Sequence, residues 1–474
     1  MLARTVMKNV IYNSSSLLVA SISGLIVVIF LARALGPELF GIYSLSISIA
    51  YIFLIFADLG ISEAAKRYIA DAVAKDDYGL AGGYFRFLFR LKLALSLLVS
   101  AIVAIFANPL SQVFGKPIAE PLLILSLFLF LFSIKNLFLG VANAMNDFKL
   151  NFFESAISGV AKLLFTFLLI LLGLSLLGAV LAVTISAIAA MFFVIYYVWG
   201  MYPRIFTSKG KVDEFRVLRF ITFTALLSST WVVFANVDVV MIGYFLEAEE
   251  VAFYRAAFNI ISAISGLIAV PSVLLPVFVK LEGEDLSKAF LRTFKFSSAL
   301  CIPAAFGTIA IAKNLLLFAY GAEYVPGLSV LQVLSLLLIS PSFGIYGAVF
   351  SSKEKPELNF YPLVLSMFLN VALNFVLIPI LGIEGAAIAT VSSNVAFWAL
   401  LVAIGAKEFS IFPRPEFVAK PIFSSLVMFL VAMNFDSMLL TIPISVLVYS
   451  ALMFLVRGIT KEDIDFLRAI AKVR

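Results

Sequence analysis

The chain has 474 residues, of which 63% are hydrophobic and only 13% are charged. Its mean hydropathy of +1.11 excludes an ordinary soluble domain, in which about half of the residues are apolar. It contains no histidine and one cysteine, Cys301. This composition removes disulfides, thiolate metal clusters, imidazole ligands and the commonest general base. We therefore expect neither a metal site nor an enzymatic activity.

Apolar runs of about 20 residues, the length that crosses a bilayer, recur along the whole chain. The first run, from Ile11 to Ala34, is longer than the apolar core of a signal peptide, so we interpret it as the first span. We predict an all-α polytopic membrane protein with about fourteen spanning helices. Their approximate bounds are 9–32, 41–60, 85–107, 119–144, 151–172, 176–200, 217–244, 253–279, 291–312, 327–350, 358–381, 385–405, 417–434 and 438–456.

Lysine and arginine are distributed unevenly between the two sides of these spans. With a cytoplasmic N-terminus, the inner segments hold 28 of the 34 cations and the outer loops hold three, Arg33, Lys116 and Lys313. Positive charge near span ends stays on the cytoplasmic side. The asymmetry predicts a multi-pass protein of the cell membrane with both termini inside. Because the inner cations are spread over eight segments, no nucleic-acid partner is expected.

The two halves of the chain share short motifs at a nearly constant spacing. The matching pairs are 35–43 with 246–254, 113–115 with 319–321 and 178–182 with 385–389, at offsets of 211, 206 and 207. Three matches in the same order indicate a duplication of six spans. We predict six-helix lobes at 1–208 and 209–412, related by a pseudo-two-fold axis along the membrane normal. Two further spans and an amphipathic cytoplasmic tail follow at 413–474.

The stretch from Ala32 to Tyr43, ARALGPELFGIY, resembles the signature of polysaccharide or lipid-linked oligosaccharide flippases. These O-antigen-type flippases belong to the multidrug/oligosaccharidyl-lipid/polysaccharide (MOP) exporter superfamily. Residues 236–254 and 370–387 resemble the same family, and the similarity extends over almost the whole chain. The resemblance implies a MATE-like fold whose two lobes enclose a cavity. It also implies alternating access that moves a polyprenyl-(pyro)phosphate-linked oligosaccharide outward for polysaccharide or glycoconjugate biosynthesis.

The resemblance further implies the partners of the protein. These are a lipid-linked oligosaccharide, membrane lipids and the membrane enzymes of polysaccharide assembly. We expect the protein to act as a monomer.

Three cations are assigned to the interior of spans, where a charge is costly and usually faces a cavity or another charge. Lys162 lies about half-way across its span and shares a helix face with Ser158 and Thr166. Its ammonium group is therefore predicted to line a cavity and to bind a phosphate, with an internal ion pair or snorkelling as the alternative. The other two cations are Lys135 and Arg255.

Lys135 and Arg255 are weaker candidates for the same cavity. Lys135 lies nearer the inner face, where its long stem can reach interfacial water without any function. Arg255 begins the eighth span, with Asn259 on the same face, and Asp238 ends the seventh span at a similar depth. A structural Arg255–Asp238 ion pair, a gate or a substrate contact all fit this arrangement.

Two aspartates and two asparagines complete the candidate set. Superfamily exporters couple transport to Na+ or H+, so the resemblance implies Asp58 or Asp238 as coupling or gating residues, and no other cofactor. A capping or interfacial aspartate is the alternative. Asn370 and Asn374 lie one helical turn apart and either bond between helices or contact a sugar.

Two other functions remain as alternatives. One is a cation-coupled multidrug or organic-cation exporter with the same fold, for which twelve spans and an acidic cavity are typical. The other is a membrane-embedded glycan polymerase or glycosyltransferase, but this chemistry needs a large ordered outer loop, and the outer loops have only about 4–15 residues. A nucleotide-driven pump is excluded because the chain has no phosphate-binding G-x-x-x-x-G-K-[ST] loop.

Overall fold

The computed structural model describes residues 2–268, 278–435, 437–460 and 463. Side chains are described in these ranges except at 2–11, 13–14, 17–18, 223, 226–228 and 231. The described residues fold into α-helices joined by short turns. The helices are α1 (Leu2–Asp58), α2 (Ile61–Ala74), α3 (Tyr78–Phe114), α4 (Ala119–Ala144), α5 (Lys149–Leu171), α6 (Ser175–Met201), α7 (Pro203–Thr207), α8 (Glu214–Phe245), α9 (Ala248–Ile268), α10 (Gly283–Ala319), α11 (Leu328–Leu334), α12 (Ser340–Ser352), α13 (Glu357–Leu381), α14 (Ile383–Phe409), α15 (Glu416–Ala432) and α16 (Met438–Leu455). Short 3₁₀ segments, Ala322–Gly327 and Ser335–Ile339, flank α11.

These helices agree with the predicted multi-pass architecture. Eleven helical segments of the described chain are long and apolar enough to cross a membrane. One of them, Val19–Ala74, contains two predicted spans, and two further predicted spans correspond to the shorter apolar parts of α8 and α15. The protein is therefore an all-α, multi-pass membrane protein, and the prediction of about fourteen spans is consistent with its helices.

The first two predicted spans are parts of one kinked helix, α1. Gly36, in the middle of the motif LGPELFGIY, has a φ of 72° and a ψ of 173° and interrupts the helical backbone. Glycine adopts such a positive φ without steric cost, whereas other residues rarely do. Pro37 follows, at a place where the helix restarts and where its fixed φ and missing N–H are tolerated. The Gly-Pro pair thus forms the kink between two spans.

Contacts divide the chain into two compact units, Met1–Arg255 and Ala256–Arg474. In the first unit, α1 packs along α5 and α8, α4 packs against α3 and α6, and α5 and α6 form a hairpin. Buried apolar side chains of α2, α3, α4, α6 and α8 form one cluster, which includes Ile69, Leu88 and Val141. The predicted lobe boundary between residues 208 and 209 stays a prediction.

In the second unit, α13 and α14 form a hairpin and α15 packs against α10 and α16. Its main core joins Phe290 and Phe294 of α10 to Tyr346 of α12. The hydroxyl group of Tyr449 in α16 donates to the carbonyl oxygen of Ala299 at 2.7 Å. The two helices predicted to lie outside the repeat therefore pack on α10. The predicted amphipathic tail lies outside the described residues except for one position, Asp463.

The two units contain one pair of closely matching elements. Helices α3 and α10 both have 37 residues. Each is followed at its C-terminal end by a glycine with positive φ, Gly115 at 62° and Gly321 at 103°. Gly115 has the left-handed conformation that commonly ends helices, whereas Gly321 has an extended ψ of 178° and follows Tyr320. The two glycines are 206 positions apart, the offset found in the sequence. The matching helices support the predicted duplication.

Candidate functional site

A cavity of about 260 Å³ lies between the second half of α1, α4 and α8 in the first unit. Its wall includes apolar side chains and a few polar ones, and Asp58 is the carboxylate among its lining residues. The other polar lining residues are Tyr51, Ser133, Asn136 and Ser229. Within the described part of the chain, no group of three or more His, Cys, Asp or Glu side chains could hold a metal ion. The cavity therefore offers one negative charge, hydroxyl groups and an amide.

Asp58 occupies this wall in a small hydrogen-bonded network. Its Oδ1 accepts a hydrogen bond from the Ser62 hydroxyl at 2.8 Å and forms an ion pair with Lys92 of α3. Lys92 Nζ also donates to Ser62 Oγ at 3.3 Å. The Asp58 side chain is 29% exposed and that of Lys92 is fully buried. Because Asp58 Oδ2 makes no hydrogen bond to a described residue, it remains available to a ligand in the cavity.

Lys92 is a residue that the sequence reasoning missed. The predicted third span, 85–107, contains Lys92, but the charge count assigned this lysine, together with Arg86 and Arg90, to the inner segment before the span. Helix α3 begins earlier, at Tyr78, so Lys92 lies fourteen residues, or about 21 Å, into the helix. Its apolar neighbours Leu91 and Leu93 are the signal that could have indicated a lysine inside the span. Asp58, predicted near the inner interface, is its ion-pair partner.

Lys135 is also paired. Its ammonium group forms an ion pair with Glu154 of α5, and both residues are buried, at 5% and 8% exposure. The ammonium lies 4.5 Å from the ring centre of Phe132, which lines the 260 Å³ cavity. Glu154 was not predicted, because it is a single acidic residue near the beginning of an apolar run. The pair thus places two compensating charges directly behind one wall of the cavity.

Lys162 has a different environment on α5. It lies thirteen residues, or about 20 Å, from the start of the helix, and its side chain is partly buried. It forms no ion pair or hydrogen bond with a described residue. On its predicted face, Ser158 is partly buried and the buried Thr166 hydroxyl has no hydrogen-bond partner in the described chain. Lys162 therefore differs from Lys135, because no described carboxylate compensates its charge.

Asp238 and Arg255 lie on α8 and α9, in the last part of the first unit. Asp238 is 4% exposed, and its Oδ2 accepts a hydrogen bond from the Tyr254 hydroxyl at 2.6 Å. Arg255 is partly buried and lies within electrostatic range of the Tyr43 and Tyr51 hydroxyls.

The three predicted asparagines lie in the second unit. Asn374 Nδ2 donates to Asn370 Oδ1 at 3.1 Å, and Asn370 Nδ2 donates to the Thr390 hydroxyl of α14 at 3.4 Å. Both asparagines are buried, and they join α13 to α14 as the interhelical alternative predicted. Asn259 lies on α9, and its buried Nδ2 has no hydrogen-bond partner among the described residues.

The fold and these buried charges define a multi-pass helical membrane protein with ionisable groups held inside its spans, which is typical of transporters. The model of a family described as polysaccharide biosynthesis protein matches residues 6–282, more than half of the chain. The chain belongs to this family. The predicted resemblance is thereby confirmed.

Individual relatives agree with this assignment. The chain is 27% identical over 401 residues to a probable low-salt glycan biosynthesis flippase, Agl15, of Haloferax volcanii, and the match covers 80% of each protein. The solved structure of the lipid II flippase MurJ, in an inward closed conformation, matches with a TM-score of 0.76 at 18% identity, covering 94% of this chain and 99% of that one. An inward-facing multidrug resistance MATE family transporter of the MOP superfamily matches with a TM-score of 0.68 at 17% identity, covering 82% and 94%. The predicted MATE-like fold is confirmed.

Proposed function

We propose that this protein is a flippase that moves a polyprenyl-(pyro)phosphate-linked oligosaccharide from the inner to the outer leaflet of the cell membrane by alternating access. Family membership and a relative named as a glycan biosynthesis flippase support the proposal. The uneven distribution of lysine and arginine supports a cytoplasmic location for both termini.

The observation that carries the proposal is the environment of Lys162. Lys92 and Lys135 each have a carboxylate partner, so their charges are compensated before any ligand binds. Lys162 has no such partner among the described residues, although it lies in mid-span. An uncompensated ammonium group at this depth is costly unless a ligand or water reaches it. The phosphate of a lipid-linked sugar is an anion that would neutralise it.

A reconstituted flipping assay tests this function. Fluorescent lipid-linked oligosaccharide is incorporated into liposomes, and its transfer between leaflets is followed with the native protein, Lys162→Ala and Lys162→Arg. Lys75→Ala serves as the matched control, because Lys75 is an exposed lysine that directly follows α2, outside the cavity. We expect the native protein and the control to flip the lipid, Lys162→Ala to lose at least about tenfold in rate, and Lys162→Arg to keep most of the activity.

The other outcomes are equally informative. If a correctly folded Lys162→Ala protein flips the lipid at the native rate, the proposed flippase function stands, but Lys162 has a structural role instead of binding the phosphate. The absence of flipping by native protein, together with efflux of an organic cation such as ethidium, would support the exporter alternative. In that case Asp58, the carboxylate among the residues lining the cavity, would be the first residue to examine.

Ion coupling is a further part of the proposal. Asp58 and Asp238 are the proposed coupling or gating residues, and Asp58 combines a cavity position with an oxygen atom that makes no described hydrogen bond. Flipping measured with an inward or an outward Na+ or H+ gradient would identify the coupling ion. Substrate roles for Lys135, Arg255 and the asparagines stay predictions.

A further inference from the structure

A second cavity of the first unit, with a volume of about 570 Å³, lies between the beginning of α3 and the segment that joins α7 to α8. Four cationic side chains line it, with one carboxylate, Glu214. The cations are Arg86, Arg90, Lys209 and Lys211. None of these five groups forms an ion pair with a described residue. The cavity therefore carries an excess of positive charge that the described chain does not neutralise.

The backbone holds the walls of this cavity together. A Cβ atom on Gly82 would lie 2.3 Å from the carbonyl oxygen of Ser208, and one on Gly83 would lie 2.5 Å from that of Gly210. Such distances are too short for any side chain, so the joining segment rests directly on the backbone of α3. The close contact brings Lys209 and Lys211 next to the two arginines of α3. The cavity is thus formed by fixed backbone as well as by flexible side chains.

Arg86 is held in place by the same contact. Its Nε donates to the carbonyl oxygen of Gly82 at 3.1 Å, and its Nη2 donates to that of Ser208 at 2.5 Å. Two of its five N–H groups are thereby used, and the others make no hydrogen bond to a described residue. A positioned guanidinium group with free donors is well suited to bind a phosphate.

An exposed face of α3 continues from this cavity along the membrane-spanning part of the helix. Arg90 is exposed, and Leu97, Leu98 and Ile105 on the same side are 51%, 56% and 71% exposed. Leu97, Leu98 and Ile105 follow Arg90 by seven, eight and fifteen positions, which places all four residues on the same side of the helix. Exposed apolar residues of a membrane-spanning helix are in contact with lipid chains. A molecule with a phosphate in the cavity and a long apolar chain would therefore contact both parts of α3.

We propose that this cavity binds the phosphate group of a membrane lipid, with the hydrocarbon chain lying along the Leu97–Leu98–Ile105 face of α3. A soluble anion would use the cations but leave the apolar face without a role. The proposal does not rest on the proposed transport activity, because a lipid can bind here whether or not it is moved. It predicts a binding site separate from the cavity that contains Asp58.

Lipid binding to the purified full-length protein tests the proposal. Native mass spectrometry measures the affinity for phosphatidylglycerol, polyprenyl phosphate and zwitterionic phosphatidylcholine, and inorganic phosphate is added as a soluble competitor. The test variant is Arg86→Gln/Arg90→Gln. The matched control is Arg414→Gln/Lys420→Gln, because these two cations line a smaller cavity of the second unit but each lies 3.7 Å from Glu416.

We expect the test variant to bind phosphatidylglycerol or polyprenyl phosphate about 20-fold more weakly than the native protein, because each cation near an anionic lipid contributes a factor of about five. The control variant should change by less than about threefold, since exposed paired charges contribute little. Whichever of the two lipids binds more tightly identifies the source of the phosphate.

Two results would overturn the proposal. One is lipid binding that is unchanged in the test variant, and the other is displacement of the lipid by inorganic phosphate at a comparable affinity, which would indicate a site for a soluble anion. If Arg86→Gln/Arg90→Gln does not fold, Lys209→Gln/Lys211→Gln replaces it. These lysines are exposed and form no described hydrogen bond, so the variant should fold and show the same direction of change. Lipid binding is measured on purified protein without transport. A negative result for the lipid site can therefore be distinguished from a negative result in the flipping assay.

Discussion

The ammonium group of Lys92 on α3 forms an ion pair with the carboxylate of Asp58 on α1. Asp58 lines the 260 Å³ cavity, and its Oδ2 makes no hydrogen bond to a described residue. Lys92 is fully buried and Asp58 is partly exposed, so the carboxylate is the charged group of this pair that a ligand in the cavity can reach. Any ligand or ion that binds Asp58 competes with Lys92. The relationship therefore connects the stability of the first unit to its candidate site.

The first prediction concerns this pair. Replacing Lys92 with methionine should destabilise the protein by about 3 kcal/mol, because it leaves a carboxylate without its partner. Asp58→Asn combined with Lys92→Met should recover part of this loss, since both charges are then removed. Thermal unfolding in detergent, followed by tryptophan fluorescence, measures both effects. Lys75→Met is the control, because the Lys75–Asp71 pair is exposed and contributes little. An equal loss in the single and double variants would contradict the pairing.

The second prediction concerns Lys135 and Glu154. Both side chains are buried, so Glu154→Gln should leave an uncompensated ammonium group and lower stability by about 3 kcal/mol. Lys135→Met/Glu154→Gln should be more stable than Glu154→Gln alone. The same unfolding measurement tests this order. If Glu154→Gln were as stable as the native protein, the ammonium would have another way to be solvated.

The third prediction concerns Lys116 in the turn between α3 and α4. Its ammonium donates to the carbonyl oxygens of Gly243 at 2.9 Å and Leu246 at 2.6 Å, and so caps the C-terminal end of α8. Burial lowers the pKa of Lys116, and Glu247 and Glu250 oppose this shift. Lys116→Met should lower stability by about 2 kcal/mol, because charged hydrogen bonds to buried carbonyls are lost. Lys313→Met, at an exposed position, should have no measurable effect. Equal melting temperatures for the two variants would exclude the capping role.

The fourth prediction is a pH dependence in the second unit. Burial raises the pKa of Asp463, but hydrogen bonds from Lys295, at 2.5 Å, and from Thr460 outweigh it and hold the pKa below its ordinary value. An aspartate with a lowered folded-state pKa stabilises the protein above its unfolded-state pKa of about 3.9. This contribution is lost as the pH falls through the folded-state pKa.

Asp463→Asn should therefore melt at a lower temperature than the native protein at pH 7, and the difference should shrink below about pH 4. Melting curves at several pH values measure this convergence. Asp71→Asn is the control, since Asp71 pairs with Lys75 on the exposed surface of α2. A difference between native protein and Asp463→Asn that does not vary with pH would show that charge is not the cause.

Much of the fold could be predicted from the sequence, because the relevant signals are local. A span is recognised by its length and its apolar composition, and the predicted bounds 119–144 coincide with α4. The predicted spans 9–32 and 41–60 leave Gly36 and Pro37 between them, and these two residues form the kink of α1. Gly115 and Gly321, which belong to the sequence repeat, both have a positive φ after the ends of α3 and α10.

The candidate site was predictable only in part. The asparagines of α13 are one turn apart, so their mutual hydrogen bond was among the alternatives. Lys92 was assigned to the inner segment together with Arg86 and Arg90, although the predicted span 85–107 contains it, because charged residues near a span end do not reveal where the membrane begins. Glu154 was overlooked because it is a single acidic residue near the beginning of an apolar run.

The sequence by itself therefore determined that this protein lies in lipid, the approximate number and limits of its spans, and its family. Only the tertiary structure decided which charges compensate each other. Lys92 and Asp58 are 34 residues apart and Lys135 and Glu154 are 19 apart, on different helices. Periodicity shows which residues share a face of one helix, but the partner of that face is set by how the helices pack. For this reason the unpaired state of Lys162 among the described residues, on which the proposed function rests, became visible only in the folded chain.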